Sequence, residues 1–254
     1  MISLHIPGNK KIDDIKLIMF DKDGTIFDIH HYWCSIIKLR AEVFWKMFNK
    51  PNLVPQLCNA MGVNEETGKL KPDGPVGIKS RKVITEIVSQ TLHNNDIQFS
   101  PDEVESVFKE VDSTSSDNLD DFLEFLPGVV DFIKNCHQAG LKLSIATTDI
   151  TTRAVAALTT KKIEHYFTLI YGADAVENTK PAPDMGLMTL KETNIDSHNA
   201  VMIGDHIVDI DFAKNANLKA GIGVSTGLLS EQTLKTATPY VIDNLSKIKV
   251  TKNV

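Results

Sequence analysis

Residues 16–29 read KLIMFDKDGTIFDI. Its apolar residues, within a predicted strand from Ile15 to Phe20, run without interruption from Leu17 and stop at two aspartates that flank Lys22, with Gly24 and Thr25 directly after. A short, continuous apolar run bounded by turn residues marks a strand buried on both faces, and such strands belong in parallel sheets. Asp and Gly punctuate strands at little cost, which accounts for Gly24 as a turn residue. It does not account for two carboxylates, one residue apart, where a buried strand surfaces.

Beyond this stretch the texture changes. Trp33, Ile37, Arg40, Phe44 and Met47 or Phe48 recur at helical spacing, with Pro51 as a stop. A Gly- and Pro-rich loop spans 61–77, a second amphipathic segment carries Val83, Ile84, Ile87, Val88 and Leu92, and Ser100-Pro101-Asp102-Glu103 opens a third helix with a capping box. Only helices and loops are expected from about residue 30 to 112. After the acidic connector SDNLDD the pattern alternates: helix 129–138 ended by Gly140, strand 141–147, helix 151–161, strand 169–172, helix 183–193, strand 200–203, a helix through 212–216 and strand 220–224. Such alternation implies right-handed crossovers and a parallel, Rossmann-like α/β sheet with ligands at the carboxyl ends of its strands. The expected organisation is a core made of residues 1–28 and 122–254, with an all-helical insert, 29–121, and a cleft between the two.

The bulk numbers narrow the function. The chain has 254 residues, 42% of them apolar, enough for a real core. A net charge of -6 gives no reason to expect a nucleic-acid partner. Cys34, Cys58 and Cys136 are widely spaced and odd in number, so neither a disulfide framework nor a thiolate zinc site is suggested. No apolar stretch approaches the roughly 18 residues that span a bilayer, and the N-terminus lacks a signal-like apolar region, so a cytoplasmic protein without a membrane partner is expected. No pattern in the sequence assigns an oligomeric state.

The strand ends carry the chemistry. Asp21 and Asp23 follow the first strand, Thr147 and Thr148 the second, Asp205 a later one, with Asp209 one turn into a helix and Lys180 just before another. In a parallel sheet these tips converge, gathering up to four carboxylates and one ammonium. Like charges so confined repel by several kcal/mol at protein-like dielectric, so a cation is required, and oxygen-only ligands point to Mg²⁺. His206 is expected to line the pocket or face solvent rather than to ligate. With Mg²⁺ and Lys180 neutralising a phosphoryl group, Asp21 at the strand end is placed to act as nucleophile. Asp23 can protonate the leaving oxygen and later take a proton from water, and Thr147 with the following amide can bond the phosphoryl oxygens.

Together, DKDGT at 21–25, Thr147 after an apolar strand, Lys180 in KPAPD and GDHIVD at 204–209 resemble the four motifs of the haloacid dehalogenase (HAD) superfamily, in its order, across about residues 15–225. The helical insert is similar to the C1 cap of its phosphoglycolate phosphatase-like and beta-phosphoglucomutase-like branch. The resemblance implies Asp21 as nucleophile and Mg²⁺ ligand, Asp23 as acid/base with its main-chain carbonyl on the metal, Asp205 as the remaining ligand, and Asp209 behind them, orienting Lys180 or a metal-bound water. An aspartate two residues after the nucleophile implies phosphate-ester chemistry rather than dehalogenation, and Thr25 leans toward phosphatases over mutases. Lys22, where an apolar residue is usual, and Thr148 depart from the pattern; Lys22 reads as a turn cap rather than a source of positive potential, and Thr148 contributes only its amide.

Substrate contacts are expected from Gly24, Thr25 and Thr148, and from Lys69 and Lys79 in the cationic insert loop that also carries Gly68, Lys71, Gly74, Gly77, Arg81 and Lys82. For any single lysine an ordinary solvated loop position is an equal reading. The aromatic residues Trp33, Phe44, Trp45 and Phe48 read as insert core. The expected activity is Mg²⁺-dependent hydrolysis of a small phosphorylated metabolite, such as phosphoglycolate, a sugar phosphate or a nucleotide. The competing readings are a phosphomutase and a catalytically silent binding module on the same fold.

Overall fold

The computed structural model describes residues 1–76 and 79–252; Gly77 of the insert loop lies outside them. In chain order the elements are β1 (Ile2–Ile6), β2 (Lys10–Ile12), β3 (Leu17–Phe20), α1 (Ile29–Phe48), α2 (Leu53–Met61), α3 (Arg81–His93), α4 (Pro101–Asp117), α5 (Val129–Ala139), β4 (Lys142–Ala146), α6 (Thr151–Thr160), β5 (Leu169–Tyr171), α7 (Asp184–Thr193), β6 (Ala200–Gly204), α8 (Ile207–Asn215), β7 (Ala220–Val224), α9 (Glu231–Lys235), β8 (Val241–Ile242) and β9 (Lys249–Lys252). They form two compact units, one of Met1–Asp28 with the chain from Phe125 onward, the other Ile29–Glu124.

The first unit is built on a parallel six-stranded sheet of order β5-β4-β3-β6-β7-β8. All four residues of β3 are buried, as its unbroken apolar run requires. Leu17 and Met19 pack with Met185, Phe212 and Ala213 on one face. Phe20, on the other, meets Phe132 and Phe167 edge-on, with ring centroids 6.1 Å away in both cases. Full burial of each such side chain is worth about 1.5–3 kcal/mol, so this central strand anchors the sheet. Phe20 pairs in register with Ile145 of β4 and Ile203 of β6. The three strands therefore end nearly level, and the residues that follow them step off side by side.

One difference from the sequence reading concerns the core. A three-stranded antiparallel sheet, β2-β1-β9, joins the two ends of the described chain, with Ile2 opposite Lys252 and Leu4 opposite Ile12. In addition, α8 runs Ile207–Asn215, so that Asp209 lies in its first turn as expected, and His206 and Asp209 form a capping box at its start. His206 Nδ1 accepts from the Val208 N–H at 3.1 Å and Asp209 Oδ2 from the His206 N–H at 3.1 Å, satisfying two donors that a helix start leaves open.

In the second unit α1 buries Ile36, Ile37, Arg40, Ala41 and Phe44. Phe44 and Phe48 meet Phe99 edge-on at 5.7 and 5.6 Å. Arg40, 2% exposed, donates to Asp112 at 2.8 Å and lies 4.0 Å over the Phe108 ring. The capping box at Ser100 is present, with Glu103 accepting from the Ser100 N–H at 2.7 Å. Helix α2 was not expected after Pro51, read as a stop; Pro55 within it falls in the first turn, where its missing N–H has no intrahelical partner to lose. Gly62 closes α2 at φ 108°.

The chain leaves and re-enters the first unit side by side. Phe27 and Phe125 form an antiparallel bridge with rings stacked at 5.4 Å, and the Leu126 N–H donates to the Ile26 carbonyl at 3.0 Å. Among the described residues no helix is long and apolar enough to cross a membrane.

Candidate active site

Asp21 leaves the tip of β3 with its N–H held by the Ile203 carbonyl at 2.9 Å, so its backbone is fixed by the sheet itself. Asp205 leaves the neighbouring tip of β6, and Asp209 lies in the first turn of α8. Carboxylate oxygens of the three all lie within 4.8 Å of one another. Lys180, just before α7, donates to Asp21 Oδ1 at 2.7 Å and to Asp209 Oδ1 at 2.6 Å, with its side chain 1% exposed. Among the described residues no lysine, arginine or histidine pairs with Asp205.

The cluster is therefore three buried carboxylates against one ammonium. Burial, then the Asp21 and Asp209 charges, holds the Asp205 carboxyl well above its ordinary 3.8. Burial also raises Asp21, against the pull of Lys180. For Lys180 burial acts downward, but Asp209 and Asp21 together outweigh it and the ammonium is held more firmly than usual. An all-oxygen set in which, among the described residues, one carboxylate has no direct ion pair fits a hard divalent cation.

Space around Asp205 is made by glycines. A Cβ on Gly24, at φ +85°, would stand 2.6 Å from the Asp205 Cγ, and one on Gly227 would stand 1.7 Å from its Oδ2. Gly24 thus makes room for a carboxylate as well as turning the chain, and its carbonyl accepts from Thr226 Oγ1 at 2.6 Å. Thr226 and Gly227 were missed by the sequence reading, although STG directly after a strand of a parallel sheet is the signal that finds them. Thr25 Oγ1 is buried without a partner.

Of the up to four carboxylates expected the cluster gathers three, and the Asp23 side chain instead accepts from Lys22 Nζ at 2.6 Å. The Lys22 carbonyl closes the turn, accepting from the Ile26 N–H at 2.9 Å and the Phe27 N–H at 3.1 Å, while its side chain is buried, the residue being 4% exposed, and also reaches Asp149 Oδ2 at 3.3 Å, a partner the sequence reading did not single out. Burial raises the Asp23 carboxyl, with Lys22 opposing. Thr147 is buried; its N–H extends β4 toward the Tyr171 carbonyl at 3.0 Å and its hydroxyl accepts from the Asp149 N–H at 3.1 Å. Thr148 is exposed beside it. Lys69 and Lys79 are exposed residues of the second unit.

The sheet order and acidic strand tips define the class: a Rossmann-like α/β core interrupted after its first central strand by a helical insert. The chain belongs to the haloacid dehalogenase-like hydrolase family, whose model matches residues 18–222. It is 30% identical over 174 residues to "Probable phosphatase IndB" of Dickeya dadantii, covering 68% of this chain and 73% of that one. It is 27% identical over 209 residues to "Pyrophosphatase PpaX" of Halalkalibacterium halodurans, covering 82% and 83%. A crystal structure of a predicted phosphoglycolate phosphatase from Haemophilus somnus matches with a TM-score of 0.67 at 18% identity, over 92% of this chain and 96% of that one, a likeness of fold. The expected enzyme class, a phosphoric monoester hydrolase, agrees with the names these relatives carry.

Proposed function

We propose that the protein is a Mg²⁺-dependent phosphatase that hydrolyses a small phosphomonoester through an aspartyl-phosphate on Asp21. The observation that carries this reading is the buried Asp21–Asp205–Asp209 cluster at adjacent strand tips, with Lys180 bonded to two of the three carboxylates. Mg²⁺ held by the Asp21 and Asp205 carboxylates and the Asp23 main-chain carbonyl would offset the charge of the phosphoryl oxygens.

Asp21 supplies the nucleophile: one oxygen is tied to Lys180, which fixes the carboxylate, and the other attacks phosphorus as the ester oxygen leaves. Asp23, partly open to solvent, gives its proton to that oxygen and takes one back from the water that cleaves the acyl phosphate. Thr147 and the Thr148 amide hold equatorial oxygens, while Asp209 orients Lys180. Gly24 and Thr25 shape the floor, and Lys69 and Lys79 are the insert's candidates for an anionic substrate.

The test is phosphate release from a panel of phosphoglycolate, sugar phosphates, nucleotides and, because a relative carries the name, pyrophosphate, with Mg²⁺ or EDTA. Release that requires Mg²⁺ and falls at least about 10³-fold in Asp21→Asn, with folding intact, is expected. Isomerisation of a sugar phosphate without net release would favour the mutase, and no turnover on the whole panel would favour the silent module.

A further inference from the structure

We propose that Lys22 is a positioning residue: it clamps the Asp23 carboxylate outside the three-carboxylate cluster, using Asp149 as a fixed counter-anchor. The inference rests on the phosphatase reading for its kinetic consequence, and on geometry alone for the clamp. Lys22 Nζ stands 2.6 Å from Asp23 Oδ1 and 3.3 Å from Asp149 Oδ2, with its side chain 6% exposed. Burying an ammonium costs several kcal/mol before any pairing, and an apolar side chain would fill the same space without that cost, so a turn alone does not call for lysine here.

The anchor is itself built in. Asp149 accepts from the Ile150 N–H at 2.8 Å and from Arg153 Nε at 3.0 Å, and its own N–H donates to Thr147 Oγ1 at 3.1 Å. The alternating chain Asp23–Lys22–Asp149–Arg153 therefore references Asp23 to the end of β4 and the start of α6, not to the turn it sits on. Among the described residues Lys22 is the partner that holds the Asp23 carboxylate. The clamp leaves Asp23 the more open of the two motif aspartates, with its side chain 25% exposed against 10% for Asp21. That is the side from which a leaving oxygen can be protonated. General-acid help matters most for a poor leaving group, and misplacing the acid by about 1 Å costs on the order of 10²-fold.

The experiment compares kcat/KM for an alkyl phosphate and for 4-nitrophenyl phosphate, because this ratio reports the phosphoryl-transfer step in which the acid acts. Lys22→Met is expected to lose about 10²-fold on the alkyl ester and less than about 3-fold on the nitrophenyl ester. Asp149→Asn should show the same split, smaller, and Lys22→Met should add no further split in an Asp23→Asn background. Equal losses on both esters, or losses that multiply in the double variant, overturn the inference. A crystal structure of Lys22→Met reads the clamp without turnover: a displaced Asp23 carboxylate supports it, and an unmoved one overturns it. Failure of the parent protein on every phosphate compound would instead count against the phosphatase reading.

Discussion

Asp205→Asn separates the cost of the acidic cluster from its use. Among the described residues Asp205 has no direct ion-pair partner, Lys180 acting on it only from a distance, and it has two carboxylate neighbours within 4.8 Å. Each like-charge pair at that distance repels by about 3 kcal/mol at an effective dielectric of 20. Protonation limits the penalty: holding a carboxyl of ordinary pKa 3.8 neutral at pH 7 costs about 4 kcal/mol. An asparagine, of the same shape, fits between Gly24 and Gly227 and carries no charge. In EDTA the variant should therefore be more stable than the parent by about 1–4 kcal/mol, a rise of several degrees in Tm at about 2–4 °C per kcal/mol for a chain of this size. Saturating Mg²⁺, at about 100 times its Kd, should stabilise the parent by about 2.7 kcal/mol and the variant hardly at all. Thermal unfolding of both proteins in EDTA and in Mg²⁺ makes the comparison. A variant less stable than the parent in EDTA, or one with an undiminished response to Mg²⁺, would refute the reasoning.

Further expectations follow from the same geometry. Asp21 and Asp205 have raised folded pKa values, so their contribution to metal-free stability is full below about pH 4 and is lost as pH rises through those values, while metal binding needs them ionised; the Mg²⁺-induced Tm shift should be larger at pH 8 than at pH 5. Gly227→Ala places a Cβ on the Asp205 carboxylate and should weaken Mg²⁺ activation by at least about 10-fold, read from the metal dependence of turnover. Ser100→Ala removes the capping-box hydroxyl of α4 and should cost about 1 kcal/mol, or about 2–4 °C in Tm, with Mg²⁺ activation unchanged.

The parts of the fold legible in the sequence are those encoded locally. The buried run before Asp21, the Ser100 cap and the alternation after residue 128 each express a contact or a periodicity within a few residues. The sheet β2-β1-β9 is different: KKI and KVTK are short and polar, and although KKI pairs with β1 across a local hairpin, the pairing of KVTK with β1 spans most of the chain. Asp21 and Asp205 were readable because a parallel sheet brings its strand tips to one edge, and Lys180 and Asp209 because they stand at the starts of the helices beside that edge. Gly227 was not, because its importance lies in the empty space it leaves beside Asp205, and neither was the burial of the Lys22 side chain, because burial is decided by what packs over it. Asp149 becomes informative only once Lys22 is known to point toward it.

The Phe27–Phe125 bridge makes the insert a side branch with a closed stem. Because residues 26–27 and 125–126 already lie hydrogen-bonded and antiparallel, a tight turn joining Asp28 to Phe125 would convert them into a hairpin with no register to relearn. The loop that the stem closes is long, yet closure entropy grows only logarithmically with length, so deleting it changes the cost of folding the core by only a few kcal/mol. A chain shortened in that way asks whether the first unit folds, and turns over phosphate compounds, without the helices that normally accompany it.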